Sequence, residues 1–159
     1  MNRGFRCILL FLVAQGWFTA ECSAIQILHT VILLEARFGL VDQNQQTVTS
    51  SGTIPLETGT SYGVDMTFQK QTEDIILRVE LELPKAPKTW GGFRKRDGTK
   101  ISDDDRTCTL TVNANTDGTD TLISWDVADG DPEGVYKVRV YLGNDKVPFR
   151  TYTFKVVKP

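Results

Sequence analysis

The sequence predicts an all-β fold of two packed sheets, and three observations support it. Apolar and polar residues alternate with period two along several short runs, each bounded by Gly, Asn, Asp or Pro. No convincing helix pattern interrupts these runs. The closing stretch from Pro132 to Val157 has the pattern of a β-hairpin. Because an isolated hairpin is unstable in water, its apolar face needs a covering sheet, which the rest of the chain must supply.

The N-terminus is predicted to be a secretory signal peptide. Two arginines precede the apolar run Cys7–Ala14, and a small-x-small site ends at Ala24. The apolar run is shorter than the roughly 20 residues that a membrane span needs, so cleavage is expected rather than an anchor. We therefore expect a signal peptide, residues 1–24, and a single domain, residues 25–159. The protein is then secreted or periplasmic, without a stable membrane span.

The charge balance and the cysteines narrow the possible partners and the source of stability. The chain has 18 Lys and Arg against 20 Asp and Glu, a formal net charge of −2, which argues against a nucleic-acid partner. Cys7 and Cys22 leave with the signal peptide, so Cys108 remains and no internal disulfide is expected. Cys108 alternates with apolar residues and is expected to be buried in the core.

Seven or eight strands with turns between them are expected in the domain. The runs are Ile25–Val41, Thr47–Leu56, Ser61–Gln69, Ile75–Leu83, Thr107–Ala114, Leu122–Val127, Val135–Leu142 and Phe149–Val157. In the first run, the even-numbered apolar residues from Leu28 to Leu40 are expected to share one face. By the same alternation, Tyr62 and Trp125 are expected to point inward and pack in the core. Thr47–Leu56 is rich in Thr and broken by Gly52, which is typical of an edge segment. Pro84–Arg106 is predicted to be a long irregular loop.

This succession of strands predicts an immunoglobulin-like antiparallel β-sandwich. The Cys…Trp…Cys spacing of true immunoglobulin domains is absent, so the likeness concerns architecture.

Three motifs resemble those of an uncharacterised family of short secreted bacterial proteins, a domain of unknown function. They are Gly59-Thr60-Ser61-Tyr62-Gly63-Val64, then ILRVELELPKAP, then Gly134-Val135-Tyr136-Lys137-Val138 with Thr153-Phe154-Lys155-Val156. The resemblance extends over roughly Leu34 to Val157, and Tyr136 stands where the family often has Trp. It implies a secreted β-sandwich and brings no established catalytic residues.

Hydrolytic catalysis has little support in the sequence. The single histidine, His29, lies among apolar residues of the first run, and a Ser-His-Asp or Cys-His arrangement would have to use it. No Gly-x-Ser-x-Gly motif occurs, and no neighbour in sequence would activate Cys108. One histidine and one thiol also leave too few ligands for a structural zinc site.

The loop Pro84–Arg106 is the best candidate for a binding surface. It places cations beside aromatic side chains, a combination that binds polyanions or glycans by ion pairing and stacking. The candidate residues are Trp90, Phe93, Arg94, Lys95 and Arg96. In the alternative interpretation Trp90 folds back to cap the core. Replacing Trp90 with Ala then distinguishes the two, because a large loss of stability would mark it as a core residue.

An acidic turn is a candidate calcium site. It supplies four carboxylates within eight residues, and hard cations prefer oxygen ligands. The candidates are Asp126, Asp129, Asp131 and Glu133. The sequence does not match the helix–loop–helix calcium pattern, and a solvated turn with local Asp hydrogen bonds is the favoured interpretation. No other cofactor is indicated.

Three hypotheses about function follow. The leading one is a non-catalytic module of the bacterial cell envelope that binds a protein or glycan partner through the loop Pro84–Arg106. The second is a small envelope enzyme, or a calcium-binding domain, using the acidic turn. The third is a structural subunit that pairs through an exposed strand edge such as Thr47–Leu56.

Overall fold

A computed structural model describes residues 31–95 and 97–159, apart from the burial of Gly92 and the side chain of Lys95. The predicted signal peptide, His29 and the start of the first predicted strand lie outside this part. The described residues form ten strands: β1 (Leu33–Asp42), β2 (Thr47–Ser50), β3 (Thr53–Pro55), β4 (Ser61–Phe68), β5 (Ile75–Glu82), β6 (Thr99–Ile101), β7 (Thr107–Ala114), β8 (Asp120–Asp126), β9 (Gly134–Leu142) and β10 (Arg150–Val157). Gly91–Lys95 forms a 3₁₀-helix.

The strands form two sheets, which confirms the predicted all-β sandwich. One sheet has four strands in the order β2-β1-β4-β8, and the other has six in the order β3-β10-β9-β5-β7-β6. All neighbours are antiparallel except β3 and β10, which run parallel. Within the described residues, no helix is long and apolar enough to span a membrane.

The core lies between the inner faces of the two sheets. Alternate residues of β4 and β5 point inward as their sequence pattern predicts, and all are almost fully buried. At its centre the Phe154 ring lies 4.4 Å from Phe38, 5.4 Å from Tyr62 and 5.5 Å from Tyr136. These contacts join β10 and β9 of the six-stranded sheet to β1 and β4 of the four-stranded one.

Two local features fit the sandwich architecture. The buried Tyr136 hydroxyl donates a hydrogen bond to the backbone oxygen of Pro132, four residues upstream, at 2.7 Å. A tyrosine in this position is the tyrosine corner of immunoglobulin-like sandwiches. In β4, a Cβ added at Gly63 would lie 2.4 Å from the backbone oxygen of Ile123. Gly63 therefore allows the close approach of β4 and β8.

The prediction of which residues face inward is wrong at the start of the first strand. A register irregularity between Leu33 and Glu35 shifts the alternation, so Leu33 packs on the core. Leu34 and Ile32 are instead exposed. The alternation returns to the predicted parity at Ala36 and Phe38, because an extra residue in a strand reverses its faces.

The two least regular segments were predicted only in part. Thr47–Leu56 divides at Gly52 into β2 and β3, which lie at the edges of different sheets, so its assignment as an edge segment is confirmed. Pro84–Arg106, predicted to be irregular throughout, contains the 3₁₀-helix and β6. Strand β6 pairs with β7 over three residues, which is too short a run to stand out in the sequence pattern.

The sheets have unequal width, and this positions the candidate site. Outward from the ring cluster around Phe154, the four-stranded sheet ends with β8, whereas the six-stranded sheet continues through β5, β7 and β6. Beyond β8, therefore, no described strand faces the six-stranded sheet. The segment carrying Trp90 and Phe93 contributes to the core there instead.

Candidate functional site

A cleft of about 390 Å³ opens between the edge of β8 and the segment around the 3₁₀-helix. Four aromatic side chains contribute to its wall, together with Leu81 of β5 and Leu83 directly after it. These aromatic residues are Tyr62, Trp90, Phe93 and Trp125. Polar groups come from Thr89, Ser124, Asp126 and Asp131. An apolar cavity with a few polar groups at its margin is the usual form of a ligand site.

Trp90 is held in the wall of the cleft by a contact with the following turn. Its side chain is buried, and its Nε1 donates a hydrogen bond to the backbone oxygen of Asp105 at 2.9 Å. Asp105 ends a turn that is closed by a hydrogen bond from its backbone N–H to the Ser102 oxygen. Its φ of 57° lies in the left-handed region. The interpretation of Trp90 as a cap on the core is therefore the one that its position supports.

The other predicted binding residues differ in their position relative to the cleft. Phe93 is half-buried and lines the cleft, and its N–H donates to the Trp90 oxygen at 3.1 Å. Arg94 is exposed and forms an ion pair with Asp105, on the same turn that holds Trp90. Lys95 ends the 3₁₀-helix, but its side chain, like all of Arg96, lies outside the described part. The cleft thus brings together Trp90 and Phe93.

Two residues assigned to packing by the sequence also face the cleft. Tyr62 and Trp125 form its inner wall, with ring centroids 6.0 Å apart. Trp125 is 3% exposed, and its indole Nε1 has no hydrogen-bond acceptor among the described residues. Burial raises the pKa of the Tyr62 phenol well above its usual range, and the nearby charges of Asp131 and Asp126 act in the same direction. Tyr62 therefore remains a neutral phenol beside the cleft.

The predicted calcium ligands have separate local contacts. Asp126 accepts a hydrogen bond from the Ser61 hydroxyl, and Asp129 pairs with Lys88 at 3.1 Å. Asp131 accepts a hydrogen bond from the Ala128 N–H at 2.9 Å, and Glu133 is exposed. In residues 31–95 and 97–159, no three His, Cys, Asp or Glu side chains form a group that could hold a metal ion. Only Asp126 and Asp131 of the four reach the cleft.

Asp131 is the more shielded of these two carboxylates. Burial raises the pKa of its carboxyl above the usual range, while the hydrogen bond from the Ala128 N–H opposes the shift. Asp126 is exposed at the end of β8. The described residues lining the cleft include no lysine or arginine, so its charged groups are negative.

The backbone of β8 forms part of the cleft wall. Val127, directly after β8, donates its N–H to the Thr60 oxygen at 2.9 Å, towards β4. In an antiparallel pair, successive residues direct their N–H and C=O groups alternately towards and away from the partner. Trp125 and Ile123 therefore bond to β4, whereas Ser124 and Asp126 direct their backbone groups to the open side.

This edge was not recognised from the sequence because strand order determines it. The alternation of β8 predicts which side chains are buried, but it does not tell which strand lies beside it. Asp120 and Asp126, one at each end of β8, are the signal that could have indicated an exposed edge, since charges commonly flank edge strands.

The chemistry available at the cleft is that of binding. The aromatic walls offer dispersion and stacking contacts, the carboxylates attract cations, and the open backbone offers both donors and acceptors.

Comparisons with known proteins support the fold and name no activity. A family model described as the PM0630 beta sandwich domain matches residues 36–157. The structure is also similar to the crystal structure of an immunoglobulin-like protein from Pseudomonas aeruginosa, with a TM-score of 0.57 and 15% sequence identity, over 80% of this chain and 97% of that one. No curated protein matches the chain. These findings confirm the predicted resemblance to a β-sandwich family of unknown function.

Proposed function

Because the chain belongs to the PM0630 beta sandwich domain family, whose description gives a fold and no activity, we propose a function from the cleft itself. The protein is a non-catalytic binding module of the bacterial cell envelope, and it binds a protein partner at the cleft beside β8. The observation that carries this proposal is one apolar cavity that combines four aromatic side chains, two carboxylates and a strand edge.

A protein partner is favoured over a glycan by the form of the cleft. Its lining combines buried apolar walls with backbone groups of an edge strand, and a polypeptide can satisfy both. The aromatic side chains of Trp90 and Trp125 are almost wholly buried, which leaves little open ring face for a sugar to stack on. Arg94, a predicted glycan or polyanion contact, is paired with Asp105.

The envelope location rests on the signal-peptide pattern of residues 1–24. Cys108 is the one cysteine outside the predicted signal peptide, so the scaffold must be stable without an internal disulfide. The core between the two sheets supplies such a scaffold.

A titration followed by NMR tests the proposed function. The ¹⁵N-labelled protein is titrated separately with a pool of unstructured peptides that combine basic and apolar residues, and with a panel of neutral oligosaccharides. The indole N–H signals of Trp90 and Trp125 report occupancy of the cleft directly. Saturable shifts with peptides are expected. Shifts with oligosaccharides alone would overturn the protein partner, and no shift with either probe would overturn a binding function at this cleft.

Two matched variants locate the binding. Phe93 is half-buried and lines the cleft, so Phe93→Ala should weaken binding of the peptides. Val147 is 76% exposed and does not line the cleft, so Val147→Ala removes apolar surface elsewhere. Equal affinities of the two variants would show that the peptides bind outside the cleft.

A further inference from the structure

The open side of β8 is an incomplete sheet edge. Strand β8 pairs with β4 over seven residues, and no described strand pairs with its other side. Ser124 and Asp126 direct their N–H and C=O groups to that side by the alternation described above. Unpaired backbone groups along an edge strand are a template for pairing with another extended chain.

The cleft lies where side chains of an additional strand would enter. A strand placed beside β8 continues the four-stranded sheet over the part of the six-stranded sheet that extends past it. Alternate side chains of a strand point to opposite faces, so every second one would be directed into the space bounded by Leu81, Leu83 and Trp90. That space is the observed cavity, and it is apolar enough to hold an aliphatic or aromatic side chain.

The charges at this edge indicate the chemistry of the occupant. Asp120, at one end of β8, already accepts a hydrogen bond from the Thr67 hydroxyl and lies 4.0 Å from the Arg37 guanidinium. The carboxylates left to a partner are Asp126, at the other end of β8, and Asp131, beside the cleft. A segment with Lys or Arg next to its apolar residues complements these carboxylates. Pairing of two copies of the chain through β8 would instead place four carboxylates along one short ladder, which is unfavourable.

We propose that β8 accepts an extended segment of a partner protein as a fifth strand of the four-stranded sheet. An apolar side chain of that segment occupies the cleft, and a flanking basic residue pairs with Asp126 or Asp131. Backbone hydrogen bonds to Ser124 and Asp126 contribute affinity, and the cleft contributes sequence preference. This inference rests on the proposed function, because it specifies how the same cleft is used.

Proline substitutions at two equivalent edges provide the test. Ser124→Pro removes an outward N–H from β8 without removing a bond to β4, since proline is tolerated where a strand's N–H faces outward. Ser50→Pro is the matched control on β2, the opposite edge of the same sheet. Ser51 donates its N–H to the Phe38 oxygen at 3.3 Å, so the backbone groups of Ser50 also point outward by alternation.

The probe is a set of synthetic peptides of about eight residues, alternating valine or leucine with threonine and ending in lysine or in aspartate. With the lysine peptides, saturable amide shifts are expected at Ser124 and Asp126. Ser124→Pro should raise the Kd by about tenfold or more, and Ser50→Pro should leave it unchanged. The aspartate peptides should bind more weakly.

The other possible outcomes distinguish strand addition at β8 from the proposed binding function of the cleft. Peptides that shift the indole signals of Trp90 and Trp125 without affecting the Ser124 amide would overturn strand addition and leave the binding cleft standing. Absence of any shift with the full peptide set would overturn both. A concentration-dependent dimer that Ser124→Pro abolishes would assign the edge to a second copy of the chain. Circular dichroism and the thermal midpoint of each variant establish that it is folded.

Discussion

The two halves of the interior are covered in different ways. In one half, β1 and β4 face β9 and β10, and aromatic rings from both sheets meet around Phe154. In the other half, the six-stranded sheet extends past β8, and the Trp90 segment contributes to the core there instead of a facing strand. We call these the closed half and the open half.

The difference shows how one fold can combine a rigid scaffold with an accessible site. In the closed half, regular backbone pairing and side-chain packing support each other along whole strands. In the open half, Trp90 is positioned by a single indole hydrogen bond and a short 3₁₀-helix. Elements with few regular backbone bonds open at lower free energy than core strands, and binding regions commonly belong to such elements. A partner can therefore be accommodated beside β8 without disturbing the closed half.

The largest effect is expected in the closed half. Phe154 is 2% exposed and contacts three rings, so Phe154→Ala leaves a cavity that neighbouring side chains cannot fill. We expect the free energy of unfolding to fall by about 4 kcal/mol, as measured by urea denaturation. Thr153→Ala, an exposed neighbour in β10, should change it by less than about 0.5 kcal/mol. Equal losses in the two variants would contradict the packing described for this half.

A smaller and more local effect is expected for Trp90→Ala. Trp90 is 7% exposed and its indole is hydrogen-bonded, so a loss of about 3 kcal/mol is expected, and Arg94→Ala should cost less than about 0.5 kcal/mol because its ion pair with Asp105 is exposed. Amide exchange should accelerate in β6 and β7 before β9 and β10. A stability unchanged by Trp90→Ala would instead mark Trp90 as a surface binding residue.

The smallest effect concerns the pH dependence of the open half. Because burial raises the folded-state pKa of Asp131 above its unfolded value, this carboxyl binds its proton more tightly in the folded protein. Its contribution to stability therefore falls as the pH rises from the usual carboxyl range through the raised pKa. Asp131→Asn keeps an acceptor for the Ala128 N–H and should remove this fall. Urea midpoints of both proteins across the acidic range provide the measurement, and parallel curves would contradict the assignment.

The closed half could be predicted from the sequence, since its determinants are local. Alternation in β4, β9 and β10 follows directly from side chains that must face either the core or water. The start of β1 could not be predicted, because an irregularity at Leu33 depends on pairing with β4 and leaves Leu34 exposed. The pattern of apolar residues along β1 does not predict how this strand pairs with β4.

The open half was predicted in part. The sequence identified the segment with Trp90 and Phe93 as the candidate site, because cations and aromatic residues occur together there. It assigned Trp125 and Tyr62 to packing alone, and it gave no indication that β8 has an open edge. Both features depend on strand order and on the unequal widths of the sheets, which arise only when distant segments pair.

Hydrogen–deuterium exchange of the unliganded protein, followed by NMR at single residues, tests the open edge most directly. The amides of Ile123 and Trp125 should be protected by bonding to β4, whereas those of Ser124 and Asp126 should exchange far faster. Uniform protection along β8 would show that its second side is already paired, and it would contradict both the open edge and the fifth strand proposed for it.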